Sequence, residues 1–326
     1  MNRTTIKSFI VFIAMITCNL CGPGSVSAAN TEIIVDTAFV KDKVGKPGWV
    51  LVDMRSADDY AKGHIRGAVG LPAWVLKIYA DDTKRQEPII TRLEQTLGEM
   101  GIGSDSHVIF YGNPPNTYLN TYMFWVMEAF GCNSKLLKCT AQYFDGGVDA
   151  WKSDGGALDQ SASSVTPAKF KAVAGAKRGA KADELLRITD GKQKSAIIDV
   201  RTPNEYGGLD VRSLRGGHIP KSTNIDVNKN YDPKTFKMLS VDQLQTIYKD
   251  VPKNARVITY CHTGGRASYT YLVLRALGYT NVAIYHDGWR VYGSDLKLAV
   301  EDETWYDFVK VNATINAVGK IQEKMK

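Results

Sequence analysis

The chain has little cysteine: five residues in 326, too few to staple a fold of this length with disulfides. It lacks long apolar runs as well. The run from Phe9 to Ile16 falls short of the ~20 residues that span a bilayer, which excludes a polytopic membrane protein. Charge of one sign is not in large excess, with Lys and Arg at 41 against Asp and Glu at 34. So small a surplus gives no sign of nucleic acid as a partner, and it would not repel an anionic substrate. There is no Walker phosphate loop and no strand-anchored GxGxxG, so nucleotide chemistry has no support. What is present is ordinary for a folded chain: 44% hydrophobic and 23% charged residues, which excludes intrinsic disorder. At ~150 residues per domain, the length suggests two domains.

The first 29 residues read as an address. Arg3 and Lys7 precede the apolar run, Gly22-Pro23-Gly24 ends it, and Val26-Ser27-Ala28 or Ser27-Ala28-Ala29 supplies small residues. That order is the one a secretory leader has. Thr17 before Cys18 and Leu20 before Cys21 are not the small residues of a lipoprotein signal. Cleavage would lower the net charge of +7 by two and leave Cys132, Cys139 and Cys261. The expectation is an exported protein, periplasmic, with no stable membrane insertion.

The rest of the chain repeats itself once. Val50-Leu51-Val52-Asp53-Met54-Arg55 runs through Tyr60 to Gly63-His64-Ile65, and Ile197-Ile198-Asp199-Val200-Arg201 runs through Tyr206 to Gly217-His218-Ile219. Asp to Tyr is seven residues in both copies, but Asp to His is eleven in the first and nineteen in the second, an insertion of eight. A second match pairs Val108–Gly112 with Val257–Cys261. Two domains of one fold follow, over residues 30–158 and 182–300, with a linker over 159–181 and an extension over 301–326. Short β-branched runs at Trp49–Val52, Val108–Tyr111, Ala196–Asp199, Val257–Tyr260 and Val282–Tyr285 predict strands. Helices are predicted at Asn120–Phe130 and Ala267–Leu277, stopped by Gly131 and Gly278. The class is α/β, each domain a parallel-stranded sheet flanked by helices. The linker's basic residues (Lys169, Lys171, Lys177, Arg178, Lys181) read as a solvated connector, and the extension as a helix packed on the second domain.

Tyr260-Cys261-His262-Thr263-Gly264-Gly265-Arg266 joins a strand to a helix. Ligands bind at this end of parallel strands. The two glycines let the backbone curl into an anion-binding concavity, and the helix adds the positive end of its dipole. A cysteine at the base of such a cradle is expected as a thiolate, with Arg266 a cation at the rim. This suits a nucleophilic sulfur that accepts another sulfur atom and holds it as a persulfide. A buried, inert cysteine is the plainer reading that these neighbours argue against.

The chain resembles the tandem-domain rhodaneses, the thiosulfate and 3-mercaptopyruvate sulfurtransferase family. Asp199-Val200-Arg201, Glu205-Tyr206 and Gly217-His218-Ile219-Pro220 resemble the family's signature; Cys261-x-x-Gly264-x-Arg266 resembles its active-site loop, and Phe144–Gly147 with Trp151 its closing motif. The resemblance implies catalysis in the second domain. Cys261 would take sulfur from thiosulfate or a related donor and pass it to cyanide or a thiol, with no cofactor. It places Arg266, His262, Thr263, Gly264 and Gly265 at the substrate. Asp199, Arg201 and His218 are read as structural, and His64 and His218 have no metal-ligand spacing. Gly112-Asn113-Pro114-Pro115 in the first half lacks the nucleophile, and proline has no N–H to donate. Thr263 and Glu205 stand where vertebrate-type thiosulfate enzymes carry Lys and Arg. Two alternatives remain: a 3-mercaptopyruvate enzyme and a non-catalytic sulfur carrier. A phosphatase on the same fold would need five residues between Cys and Arg, and here there are four. Whether Cys132 and Cys139 pair is open from sequence.

Overall fold

The computed structural model describes residues 33–71, 86–113, 118–173 and 177–307; the leader expected over residues 1–29 lies outside them. The first half runs β1 (Ile34–Val35), α1 (Thr37–Lys43), β2 (Trp49–Asp53), α2 (Ala57–Lys62), β3 (His64–Ile65), β4 (Val69–Gly70), α3 (Gln86–Glu99), β5 (His107–Tyr111), α4 (Tyr118–Ala129), β6 (Thr140–Phe144), α5 (Gly147–Ser153) and β7 (Leu158–Asp159). The second runs α6 (Ala182–Thr189), β8 (Ser195–Asp199), α7 (Pro203–Tyr206), β9 (Arg215–His218), β10 (Thr223–Asn224), α8 (Val241–Ile247), β11 (Arg256–Tyr260), α9 (Gly265–Ala276), β12 (Val282–Ile284), α10 (Gly288–Tyr292) and β13 (Glu301–Trp305). The main sheets have the orders β1-β6-β5-β2-β4 and β10-β8-β11-β12. Every pairing within them is parallel. The five predicted strands are all present.

The predicted helices begin two residues earlier than expected, at Tyr118 and Gly265. For α9 the reason is Gly264, whose φ of +92° lets the loop turn straight into the helix. Both helices are buried on nearly every side, from Asn120 to Glu128 and from Ala267 to Ala276. A helix apolar all round needs two partners. Each of these has its own sheet on one side and the other helix on the other, so one hydrophobic cluster runs through both halves, with Phe110 and Phe124 beside Tyr271 and Leu272. At the crossing Thr121 Oγ1 lies 2.7 Å from Ser268 Oγ. Buried Glu128 accepts from Arg275 Nε at 2.8 Å and from the Tyr271 hydroxyl.

Two expectations change. The described part of the extension is a strand: β13 pairs antiparallel with β9, His218 opposite Glu301, as β7 pairs with β3, His64 opposite Asp159. It is therefore the counterpart of β7 and part of the repeat; residues 308–326 lie outside the described residues. The basic connector is also not simply solvated. Phe170 is buried, Lys171 Nζ meets Glu94 at 2.8 Å, and Arg178 donates to the Thr280 carbonyl at 2.7 Å. Cys132 and Cys139 are joined as a disulfide, their Cα atoms 4.8 Å apart.

Candidate active site

The two halves offer equivalent sheet ends to one another. β5 and β11 end at Tyr111 and Tyr260, and the next residues, Gly112 and Cys261, both line one cleft of about 680 Å³. Beneath it the halves are built alike. Asp199 holds Arg201 through Nε at 3.0 Å and Nη2 at 2.6 Å, and Arg201 reaches the Gly217 carbonyl at 2.7 Å. Asp53, Arg55 and Gly63 repeat this arrangement. The Tyr260 hydroxyl accepts from the Ile219 N–H, as the Tyr111 hydroxyl does from Ile65. His218 stacks on Tyr206 with ring centres 3.6 Å apart, and its Nδ1 lies 2.9 Å from the Tyr206 carbonyl. These residues tie each strand end to the loop beside it, and Arg55 also lines the cleft. Among the described residues no group of three or more His, Cys, Asp or Glu is placed to hold a metal.

Cys261, His262, Thr263, Gly265 and Arg266 line the cleft. Gly264 lies behind them and donates its N–H to Cys261 Sγ at 3.1 Å. The first N–H groups of α9 have no partner within the helix and carry the positive end of its dipole. A backbone donor and the positive end of a helix dipole at one point suit a bound anionic group. In the first half a Cβ at Gly112 would sit 2.8 Å from Asn120 Oδ1, so the Asn120 side chain occupies the place where a nucleophile would begin.

Arg266 does not present the open cation expected of it. Its Nη1 and Nη2 meet Glu205 Oε2 and Oε1 at 2.5 and 2.8 Å. Glu205 is reached from α7, which Thr202 and Glu205 start with a reciprocal capping box. Burial alone would raise the Glu205 carboxyl, but the Arg266 hydrogen bonds and charge overcome it and hold the group at about 2. Arg266 is raised correspondingly, its partner outweighing its own burial. His262 is lowered to about 4, by burial first and then by the Arg212 charge, so it is neutral near pH 7.

Arg212 is the cation that the sequence reading missed. It lines the cleft with its side chain half exposed, and its one ion pair among the described residues is a 3.4 Å contact to Glu205. It lies in the eight-residue insertion, and that insertion was the available signal. The far wall was missed as well: Arg55, Asp59, Asn113, Tyr118 and Leu119 of the first half face the same space.

A double α/β unit with its cleft at the carboxyl ends of both sheets is the class that these features define. The chain matches the rhodanese-like domain family over residues 36–154 and 181–295. It is 32% identical over 289 residues to a putative thiosulfate sulfurtransferase of Mycobacterium leprae, covering 84% of this chain and 99% of that one. It is 27% identical over 275 residues to the thiosulfate sulfurtransferase of Pseudomonas aeruginosa, covering 84% and 98%. Among solved structures, SseA of Escherichia coli, described as a 3-mercaptopyruvate sulfotransferase, superposes with a TM-score of 0.63 at 22% identity, covering 79% of this chain and 98% of that one. The anaerobic ergothioneine biosynthesis enzyme of Chlorobium limicola does so with 0.69 at 18%, covering 82% and 70%. These two likenesses show the shared fold. The chain belongs to the rhodanese family of sulfurtransferases, as a member with two tandem domains.

Proposed function

We propose that the protein moves sulfane sulfur from thiosulfate to cyanide or a thiol, through a persulfide on Cys261. The observation that carries this reading is Cys261 Sγ on the cleft wall, accepting from Gly264 N–H at the start of α9. The thiolate attacks the outer sulfur of thiosulfate, the S–S bond breaks, and sulfite leaves with the electron pair. The persulfide anion remains against the loop donors. An acceptor then attacks its terminal sulfur and returns Cys261 to the thiolate. Gly112 leaves the first domain without a nucleophile, so its part is to wall the cleft.

One observation favours a second donor. With Arg266 neutralised by Glu205 and Arg55 by Asp53, Arg212 is the least compensated cation at the cleft. A single cation suits the monoanionic carboxylate of 3-mercaptopyruvate better than a dianion. Initial rates of thiocyanate formation with each donor, side by side, test the two readings. Thiosulfate is expected to give the higher kcat/KM; a reversed order assigns the protein to mercaptopyruvate, and thiocyanate from neither makes it a carrier. The disulfide and the leader sequence together support export to an oxidising compartment, which we take to be the periplasm.

A further inference from the structure

The cleft is far larger than cyanide or thiosulfate needs, and about 680 Å³ is the size of site that binds organic ligands of some complexity. Its walls differ in charge. Arg212 stands on the wall of the second domain and Asp59 on the wall of the first.

Asp59 is the positional counterpart of Glu205. Each lies six residues after its strand-end aspartate, Asp53 or Asp199, and three after a capping hydroxyl, Ser56 or Thr202. Glu205 spends its charge on Arg266, the second residue of α9. The second residue of α4 is Leu119, which has no charge to offer. Thr121 and Ser268, fourth in their helices, touch across the crossing, which confirms this alignment. The carboxylate of the first domain has thus lost its internal guanidinium. Among the described residues it accepts from the Ser56 hydroxyl at 2.8 Å and pairs with the exposed Lys62 at 3.4 Å, a surface pair of the kind worth little, and the Arg55 charge also acts on it. Arg55, the nearest buried cation, is held by Asp53 and the Gly63 carbonyl. Asn113 of the same domain also lines the cleft, and its buried Oδ1 has no hydrogen-bond partner among the described residues.

A cleft lined by the Asp59 carboxylate, the Arg212 guanidinium and the Cys261 sulfur fits a molecule with a positive end, a thiol and, where present, a carboxylate. We propose that the first domain selects the sulfur acceptor, with Asp59 binding the ammonium group of an aminothiol whose sulfur reaches Cys261 and whose carboxylate, if it has one, faces Arg212. The inference rests on the persulfide reading above. In the transfer, the acceptor sulfur bonds to the terminal sulfur, the bond from that sulfur to Cys261 Sγ breaks, and its electron pair returns to Sγ. The proton of the acceptor thiol ends on the new persulfide, so charge is conserved and no oxidant is needed.

The test loads the protein with persulfide and compares cysteamine with 3-mercaptopropionate, which has a carboxylate in place of the ammonium group. The readout is the ratio of their kcat/KM values. Asp59→Asn is expected to lower the ratio of cysteamine to 3-mercaptopropionate about tenfold, and Asp59→Lys to lower it further and favour 3-mercaptopropionate. A ratio that both variants leave unchanged overturns the proposal. A second readout needs no turnover: calorimetric binding of cysteine to the Cys261→Ser protein should weaken when Asp59→Asn is added, and equal binding overturns the proposal as well. If sulfur transfer itself fails, wild type forms no thiocyanate, which separates that outcome from a failure of acceptor selection.

Discussion

Arg266 and Glu205 show how one pair changes the chemistry of a site. The guanidinium is fixed beside Cys261 by two hydrogen bonds to a carboxylate that is 2% exposed. Removing one partner of a buried pair leaves an uncompensated charge and typically costs about 3–5 kcal/mol. Glu205→Gln is therefore expected to lose stability of that order at neutral pH, read by urea denaturation. The pH dependence has a definite sign. The folded-state carboxyl is depressed from 4.5 to about 2, so its contribution is complete above about 4.5 and is lost as pH falls towards about 2. Wild type should lose stability over that window more steeply than Glu205→Gln. Parallel curves would show that the pair contributes nothing.

The paired helices α4 and α9 do at the element scale what this ion pair does at the residue scale. They carry the loop after each strand and lock the halves together through Glu128, Arg275 and Tyr271. Glu128→Ala should destabilise the protein by about 3–5 kcal/mol. It should also broaden the unfolding transition if the halves begin to melt separately, which calorimetry reads. An unchanged single transition at the wild-type temperature would contradict that role. The strands, the parallel sheets and these two helices were legible because each carries a repeated pattern of β-branched runs and glycine stops. The first turn of α9 was misplaced because Gly264 reads as loop, whereas its left-handed backbone is what starts the helix. β13 was unreadable: Glu301-Asp302-Glu303-Thr304-Trp305 has no apolar alternation, and only its pairing with β9 makes it a strand.

For the molecule as a whole, the site is a property of two domains, and this was the least legible part. Cys261 and its loop are contiguous in sequence, so local spacing could find them. Glu205 lies 61 residues from Arg266, Arg212 sits in an insertion with no copy to compare, and Asp59 comes from the other half. No local pattern joins residues so far apart. The Cys132–Cys139 bridge depended in the same way on a Cα distance of 4.8 Å that only the fold supplies. It closes a short loop at the end of α4, with sequence separation 7. By loop-closure entropy, removing it should cost about 2–3 kcal/mol. The Cys132→Ser, Cys139→Ser double variant should accordingly melt earlier while still forming thiocyanate. Lost transfer at a temperature where that variant remains folded would mean that the bridge takes part in the chemistry.

The central claim is that Cys261 alone carries the sulfur. Intact-mass analysis after incubation with thiosulfate, followed by peptide mapping without reductant, tests it most directly. Wild type should gain the mass of one sulfur atom, located on the peptide that contains Cys261 and discharged by cyanide. Cys261→Ser should gain none, with Cys132 and Cys139 still joined. A labile sulfur on the Cys261→Ser protein, or on the Cys132 or Cys139 peptide of wild type, would contradict the account.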